Sequence, residues 1–387
     1  MAARTSLTQE RERYQDCFKR PGVENMAEWN VVTATGRQRT RFGEVPQYTE
    51  GLYDLGNGIY SWMVPNGSWG ESNAGLIVGE GESLLVDTLW DLHFTDEMLD
   101  AMKPITGKAP IKYLVNTHAD GDHVWGNQLL AGAEIIMTPA CDEEGREMKA
   151  AAMAMLGRSG EALERYGRGN VEKIGNYFHN MVAPYDFRGV VFEGATRTFE
   201  GETALEVGGR EVRLIEVGPA HTLGDLLVYV PDAKTVFCGD IIFSGGTPVL
   251  WAGPVENWLD ALETIMDLDV ETVVPGHGPV GGKESALRLK EYWEFLRREV
   301  GKRFNAGMSA KDAAYDIALG DDFKIRAWAR WDSPERIMTN AHIMYKHLQL
   351  RGRTKHVTPA EKLNILRKQA LLAYELPDAP PAATRTL

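Results

Sequence analysis

The amino-acid sequence predicts an α/β fold in which a sheet sandwich is surrounded by helices. Three observations favour this class. Short runs rich in Val, Ile, Leu and aromatic residues recur between glycines, as is typical of strands. Segments with apolar residues at helical spacing lie between and after these runs. Histidines and aspartates directly follow several predicted strands, so one edge of the sandwich is expected to collect potential metal ligands.

The first half of the chain is predicted to consist of strands and one helix. Successive strands are predicted in YDLGNGIYSWMV, NAGLIVGEG and ESLLVDT. A helix is predicted in LHFTDEMLDAMKPITG, because its apolar residues recur at helical spacing and Pro and Gly mark its exit. The strand IKYLVNTH comes next, so that the stretch HADGDH begins where a strand ends.

A helical insertion is predicted at about residues 141–190, where alanine and methionine recur at helical spacing. Strands return in TRTFEGETALEVGGREVRLIEV, whose Gly-Gly pair indicates a hairpin, and in LLVYVPDAKTVFCGD. ENWLDALETIMDLD has the pattern of an amphipathic helix, and VETVVPGHG is the last predicted strand and its loop.

This pattern divides the chain into four parts. Residues 1–45 are polar and are expected to form an N-terminal surface extension, whereas residues 46–285 form the main domain. Residues 286–375 have a helical pattern, and the Pro/Ala-rich residues 376–387 are expected to be disordered. Two of the C-terminal helices begin with SPER and TPAE, whose first residues we expect to act as N-caps.

The composition excludes several classes of function. A net charge of −13 at pH 7 argues against binding to nucleic acid or to an anionic membrane. The charged N-terminus does not resemble a signal peptide, and no run of about 18 apolar residues occurs. Cys17, Cys141 and Cys238 are widely spaced and are expected to be reduced thiols. We therefore expect a cytoplasmic protein with a small-molecule substrate. Assembly as a homo-oligomer or with a second subunit stays open.

Potential metal ligands follow four of the predicted strands. Imidazole and carboxylate together suit zinc, iron or manganese. Four of these residues lie within the six-residue stretch HADGDH, and the others follow VRLIEV, VFCG and TVVP. The candidate ligands are His118, Asp120, Asp122, His123, His221, Asp240 and His277.

The stretches HADGDH, GPAHTLGD, VFCGDIIF and VVPGHGP, with SLLVDT before them, resemble in order the motifs of the metallo-β-lactamase-fold hydrolases. The resemblance covers about residues 50–285. It implies a four-layer αββα sandwich with a metal site at one edge, here with a helical insertion and a helical C-terminal region. It also implies two divalent metal ions per chain. Site one would contain His118, Asp120 and His221, site two Asp122, His123 and His277, and Asp240 would bridge them.

Asp120 departs from the family pattern, which usually has histidine at this position. In one interpretation its carboxylate is a ligand and favours iron or manganese over zinc, the metal otherwise expected. In a second, the shorter side chain does not reach, and only site two holds a metal. In a third, the site is inactive and the chain is a binding protein. The six other ligands argue against the third, because packing such groups together without a metal is costly.

The resemblance also assigns roles beyond metal binding. Asp122 would have a catalytic role in orienting the attacking hydroxide. Asp87 and Thr222 would support the ligands from behind. Aromatic residues near the predicted site loops favour an apolar or aromatic substrate. These pocket candidates are Trp62, Trp69, Trp90, Trp125, Tyr177, Phe243 and Trp251.

These observations predict a metal-dependent hydrolase that uses a metal-bound hydroxide on a small organic substrate. The bond cleaved could be an ester, lactone, thioester, amide, sulfate ester or activated aryl ether. Two alternatives stay open. One is an iron-dependent oxidoreductase or dioxygenase of the same fold, and the other is a non-catalytic partner subunit.

Overall fold

Two β-sheets pack face to face and helices cover their outer faces in the computed structural model, which describes residues 30–37, 48–65, 69–350 and 357–376. The first sheet has eight strands in sequence order: β1 (Asn30–Ala34), β2 (Gly51–Gly56), β3 (Ile59–Met63), β4 (Ala74–Val78), β5 (Ser83–Val86), β6 (Ile111–Val115), β7 (Glu134–Met137) and β8 (Arg197–Thr198). The second sheet, in the order β13-β12-β11-β10-β9, contains β9 (Glu202–Val207), β10 (Arg210–Glu216), β11 (Leu226–Val230), β12 (Thr235–Phe237) and β13 (Thr272–Val274).

The helices lie on both sides of this sandwich. They are α1 (Leu92–Thr106), α2 (Gly121–Val124), α3 (Pro139–Glu147), α4 (Ala150–Tyr166), α5 (Asn170–Val182), α6 (Val255–Asp267), α7 (Glu284–Asn305), α8 (Ala310–Ala318), α9 (Asp321–Lys324), α10 (Ile337–Leu350) and α11 (Pro359–Ala373). The predicted four-layer αββα architecture with a helical insertion and helical C-terminal region is therefore confirmed.

Strand direction brings the strand ends that precede the candidate ligands to one edge. Strands β5 to β8 run parallel to one another, and β12 runs parallel to β13 in the second sheet. The carboxyl ends of parallel neighbours lie on the same side of a sheet. Loops that follow β5 and β6 therefore leave the first sheet together, as do the loops that follow β12 and β13 in the second.

Apolar side chains fill the three spaces between the four layers. Ile77, Val115 and Phe237 lie between the two sheets. Alternate residues of the first sheet, such as Leu76, pack against Met98 of α1 on the outer face. The outer face of the second sheet packs against α6 and also against α7, α8 and α10. The C-terminal helices thus share one continuous core with the second sheet.

The helical insertion is joined to the C-terminal helices by buried polar contacts. The hydroxyl of Tyr177 on α5 donates a hydrogen bond to Glu335 (2.9 Å) and accepts one from Gln369 on α11 (2.9 Å). Thr339 on α10 donates to the same glutamine at 2.6 Å. These contacts fix the insertion against the C-terminal region.

Some local predictions differ from the structure. Residues 30–34, assigned above to a surface extension, form the exposed strand β1, which pairs with β2. Thr358 caps α11 in a complete capping box with Glu361, as predicted. The prediction for Ser333 is wrong, because this residue is left-handed (φ 57°) and its side chain caps no helix. The predictions for residues 1–29, 38–45 and 377–387 fall outside the described residues. Across the described helices, none combines the length and apolarity needed to cross a bilayer.

The close approach of the sheets at Gly75 gives a test of the fold. A Cβ at this position would lie 2.1 Å from the ring of Phe237. We expect Gly75→Ala to lower the free energy of unfolding by about 1–3 kcal/mol, because the packed core cannot yield. Denaturant unfolding measures this. Gly301→Ala, in α7 where a Cβ meets nothing within 4 Å, is the control and should be neutral or stabilising. Equal stability of both variants would contradict the packing described.

Candidate metal centre

Four strand-end loops carry the seven candidate ligands to one edge of the sandwich. His118 follows β6, and the short helix α2 buries Asp122 and His123 in the next turn. His221 lies in the loop between β10 and β11. Asp240 lies in a 3₁₀ turn after β12. His277 follows β13 and forms isolated bridges with Ser72 and Phe243.

Asp240 lies among four imidazoles. One of its oxygens, Oδ2, is 3.3 Å from Nε2 of His221 and 3.3 Å from Nε2 of His277. The other, Oδ1, is 3.2 Å from Nε2 of His123. His118 Nε2 is 3.8 Å from Oδ2. This one buried carboxylate therefore contacts residues of both predicted metal sites.

Two further carboxylates flank the imidazoles on opposite sides. Asp120 Oδ2 is 3.1 Å from His221 Nε2, and Asp122 Oδ2 is 3.4 Å from His277 Nε2. The donor atoms form three overlapping groups, and the atoms of each group lie within 4.8 Å of one another. They are His118 with Asp120 and His221, His118 with His123 and Asp240, and Asp122 with His123 and His277. The structure thus brings all seven candidate ligands together.

Hydrogen bonds to the outer ring nitrogens orient the imidazoles. Nδ1 of His221 lies 2.7 Å from the carbonyl oxygen of Val249, and Nδ1 of His277 lies 2.9 Å from that of Glu71. A carbonyl oxygen only accepts, so Nδ1 carries a proton in both rings and Nε2 is the nitrogen that faces the centre. This is the arrangement that metal-ligating histidines usually show.

Asp87 contacts the candidate ligand His123 directly and the candidate ligand His118 through Thr117. Its oxygens accept hydrogen bonds from the backbone N–H and the hydroxyl of Thr117 (both 2.7 Å), and Oδ2 is 2.9 Å from Nδ1 of His123. The same threonine hydroxyl lies 2.9 Å from Nδ1 of His118. Asp87 is left-handed (φ 62°), which is uncommon for a residue other than glycine and marks a backbone held by its surroundings.

Asp225 supports the His221 loop and was not identified in the sequence analysis. It accepts hydrogen bonds from the backbone N–H groups of Ala220 and Thr222, and from the hydroxyl of Thr222. These donors lie on both sides of His221, so the predicted support role of Thr222 depends on Asp225. The signal was present in the motif GPAHTLGD, which ends at this aspartate.

Ser72 and Asn73 were also missed. The hydroxyl of Ser72 donates to the backbone oxygen of Asp122 at 2.6 Å. Asn73 donates to the carbonyl oxygens of Pro275 (3.0 Å) and Gly278 (2.7 Å) and so holds the His277 loop against the first sheet. Polar residues before a strand carry no sequence signal that distinguishes this role from an ordinary loop.

The pKa values reflect the close packing of opposite charges. Burial opposes charge on His221 and His277, but Asp240 and the flanking carboxylates outweigh it and raise each pKa to about 9. Burial likewise favours the neutral form of Asp120, but the hydrogen bond and charge of His221 hold its pKa well below the ordinary value. Burial also opposes charge on Asp240, but the four histidines hold its pKa well below the ordinary value. Asp120 and Asp240 therefore stay charged, and positive charge must lie beside them.

Unpartnered atoms show that the residues fit a metal. Nε2 of His118, Nε2 of His123 and Oδ1 of Asp240 are buried, and none has a hydrogen-bond partner among the described residues. Nε2 of His123 and Oδ1 of Asp240 are 3.2 Å apart, but they are not aligned for a hydrogen bond with each other. Buried polar atoms are normally bonded, so these lone pairs are suited to a shared cation. Imidazole and carboxylate donors suit zinc, iron or manganese.

The predicted pocket residues differ in their positions. Phe243 stacks on His277 at 5.0 Å between ring centroids, and the backbone N–H of Trp251 donates to the carbonyl oxygen of His221. Trp69 packs edge-on against Tyr177, with 5.9 Å between the ring centroids. The prediction for Trp62 is wrong, because strand alternation points its side chain into the core beneath α1.

The remaining tryptophans stabilise the insertion. Trp90 and Trp125 stack on each other at 6.4 Å between ring centroids and lie in an apolar cluster with α5 and α11. Tyr177 is buried in the same cluster. Their predicted role as pocket residues is therefore replaced by a packing role.

The comparisons with known proteins agree with this fold and site. The model of the metallo-beta-lactamase superfamily matches residues 67–277, which is more than half of the chain. The chain therefore belongs to the metallo-beta-lactamase superfamily, whose members typically bind divalent metal ions. The general prediction of a metal-dependent hydrolase is confirmed at the level of this family.

Relatives and solved structures cover the chain only in part. The alpha subunit of 2,4-dinitroanisole O-demethylase from Nocardioides sp. is 28% identical over 36% of this chain and 41% of its own length. Hydroxyacylglutathione hydrolase from Rhodospirillum rubrum is 26% identical over 58% of this chain and 71% of its own. The stereoselective inverting sec-alkylsulfatase Pisa1 from Pseudomonas sp. has a TM-score of 0.55 at 16% identity, over 77% of this chain and 50% of its own. That structural likeness supports the fold.

The hydrogen bonds of Asp225 give a test of the site. We expect Asp225→Ala to weaken metal binding at the His221 group by about 10–100-fold, because the loop loses the acceptor that orients it. Metal content per chain after dialysis against increasing chelator concentrations measures this. The control is Asp142→Ala, which removes a carboxylate on α3 that pairs with Arg146. If both variants retain metal as the unmodified protein does, Asp225 does not hold the ligand loop.

Proposed function

We propose that this protein is a hydrolase of small organic substrates that depends on two divalent metal ions. One observation carries the proposal: the buried Asp240 carboxylate faces Nε2 of four histidines at 3.2–3.8 Å. The first ion would be held by His118, Asp120 and His221, the second by Asp122, His123 and His277, with Asp240 shared. Zinc is the first candidate, with iron or manganese as alternatives because of Asp120.

The position of Asp120 supports its role as a ligand. Its carboxylate reaches within 3.1 Å of His221 Nε2, a separation similar to that between Asp122 and His277. It also belongs to a donor group whose atoms lie within 4.8 Å of one another. This geometry favours the first of the three interpretations over one in which the side chain is too short.

The chain's own residues have three tasks in the proposed reaction. Bound divalent ions supply the Lewis acidity that lowers the pKa of water and polarises the substrate oxygen. Asp122 orients the attacking water by accepting a hydrogen bond from it. Asp87 and the carbonyl oxygens of Glu71 and Val249 keep the ligand imidazoles in the correct tautomer. Trp251, whose backbone N–H donates to the carbonyl oxygen of His221, offers a half-buried aromatic surface near the centre, whereas Phe243 is buried against His277.

The names of the relatives suggest a range of bonds. They cover a hydrolase of hydroxyacylglutathione, a sec-alkylsulfatase and an O-demethylase of 2,4-dinitroanisole. For this chain we propose cleavage of an ester, lactone, thioester, amide, sulfate ester or activated aryl ether on an apolar or aromatic body. The Nocardioides relative is named as a subunit, which supports testing whether this protein also works with a second chain.

The metal content of the purified protein tests the ligand set. With zinc, iron and manganese all supplied during expression, we expect about two ions per chain by elemental analysis, as in two-metal hydrolytic sites. Asp120→Ala should retain about one, because the His118 and His221 pair loses its third donor. One ion in the unmodified protein would instead mean that Asp120 is not a ligand. A metal-free protein would support the non-catalytic partner subunit.

Loss of one central ligand tests the activity. We expect His123→Ala to lower turnover on whichever chromogenic ester, lactone, sulfate or aryl ether proves to be a substrate by at least about 100-fold, since metal ions contribute several kcal/mol to such barriers. His93→Ala, which changes an exposed histidine on α1, is the control and should keep full turnover. Unchanged turnover in His123→Ala would contradict the mechanism. Bound iron together with oxygen uptake would support the oxidoreductase alternative.

A further inference from the structure

The loop between Asp240 and α6 places two aromatic residues beside the candidate ligands. The ring of Phe243 lies parallel to that of His277, with 5.0 Å between the centroids. Trp251 lies at the other end of the loop, where its backbone N–H donates to the carbonyl oxygen of His221 at 3.0 Å. The Trp251 side chain is only half-buried, so its surface is accessible next to the ligand group that contains Asp120.

The C-terminal region places a cation over each of these rings, one from the 3₁₀ turn before α10 and one from α11. The ammonium of Lys362, in the first turns of α11, lies 4.9 Å from the ring of Trp251. The guanidinium of Arg336 lies 5.4 Å from the ring of Phe243 and donates one hydrogen bond to the carbonyl oxygen of Thr247. A cation over an aromatic face is attracted by the ring, but the ring does not neutralise the charge.

Neither cation forms an ion pair within 4.0 Å with any carboxylate of the described residues. Arg336 is only 8% exposed, and burying such a charge without a counter-charge is costly. Glu361, the neighbour of Lys362 in sequence, is engaged in the capping box and with Lys346. The half-buried ammonium of Lys362 is therefore available to an anion from outside the chain, whereas Arg336 contributes buried positive charge.

Lys362 acts on the side of the centre that contains Asp120. Burial raises the pKa of Glu144 on α3, and the charge of Lys362 opposes that rise. Burial raises the pKa of Asp120, and the charge of Lys362, after the larger effects of His221 and His118, helps to lower it. A lysine near a centre that holds divalent cations experiences repulsion, and a bound anion would relieve it.

We propose that Lys362 determines specificity, and that the substrate carries an oxyanion, a carboxylate or a sulfate, on an aromatic or apolar body that lies against Trp251. Lys362 contacts the oxyanion, while Arg336 adds positive charge from beneath Phe243. This inference rests on the proposed function and narrows its substrates to anionic ones.

Binding by paired probes tests this inference without requiring turnover. The metal-loaded protein is titrated calorimetrically with benzoate and its neutral analogue benzamide. It is also titrated with benzenesulfonate, which stands in for a sulfate ester, and with the neutral methyl phenyl sulfone. We expect the anion of at least one pair to bind at least about tenfold more tightly than its neutral analogue, as for a charge-assisted hydrogen bond. The pair with the larger ratio identifies carboxylate or sulfate as the preferred group. Equal binding within both pairs would overturn the inference.

Variants separate Lys362 from the general attraction of metal ions for anions. Lys362→Gln should reduce the preference for the anion by about tenfold. Lys362→Arg should retain most of the preference, because the charge remains. The matched control is Lys173→Gln. Lys173, on α5, is also half-buried, and its ammonium lies 5.2 Å from the ring of Tyr374. Lys173→Gln should bind both members of each pair as the unmodified protein does.

The outcomes distinguish this inference from the proposed function. If Lys362→Gln keeps the full preference while its thermal unfolding is unchanged, the assignment of Lys362 is wrong, whatever the protein hydrolyses. If the preference depends on Lys362 but no substrate in the chromogenic panel is cleaved, the anion site is supported and the hydrolase proposal fails. Turnover of neutral and anionic substrates with equal kcat/KM by the unmodified protein would overturn the inference and leave the hydrolase proposal intact.

Discussion

The contact between the Asp240 carboxylate and four imidazoles is the constraint on which the rest of the site depends. Asp240 is 4% exposed, and a charged carboxylate at that depth needs positive charge around it. The four histidines come from loops of both sheets. The edges of the sheets must therefore be held within a few tenths of an ångström, because each Nε2 must reach the same carboxylate.

The structure meets this constraint with a layer of buried hydrogen bonds behind the ligands. Asp87 ties the end of β5 to the loop after β6, and Asn73 ties the start of β4 to the loop after β13. The contact made by Asn73 joins the first sheet to the second. Asp225 performs the equivalent task within the His221 loop. The ligands are thus positioned by backbone-directed bonds, which tolerate changes in the surrounding apolar side chains.

The sequence was sufficient to predict most of the strands, although not β1 or β7, together with the four layers and the seven residues that meet at the centre. Those predictions depended on local signals, since each ligand follows an apolar strand within a few residues. The aromatic residues were predicted less well, because nearness to a metal motif in sequence does not determine the direction of a side chain. Trp62 illustrates this: it precedes the site loop, but the period of two along β3 points it towards α1.

Contacts between distant parts of the chain could not be predicted either. Nothing in the local sequence of α11 indicates that Lys362 lies over Trp251, because that contact depends on how the C-terminal helices pack against the second sheet. Asp225 belonged to a recognised motif but was assigned no role. Its role became evident only from the hydrogen bonds that surround His221.

The side chains of Asp120 and Asp240 differ in their exposure to solvent. The Asp120 side chain is 20% exposed and lies at the outer side of the donor cluster, where solvent, His221 and Lys362 all offset its charge. A change there alters the charge of one metal group without disturbing the shared carboxylate. The family match ends at residue 277, whereas both Arg336 and Lys362 lie beyond it. Under the proposed function, the C-terminal region can alter substrate choice while the sheets hold the seven candidate ligands in place, and Asp120 is the candidate ligand whose pKa the charge of Lys362 helps to lower.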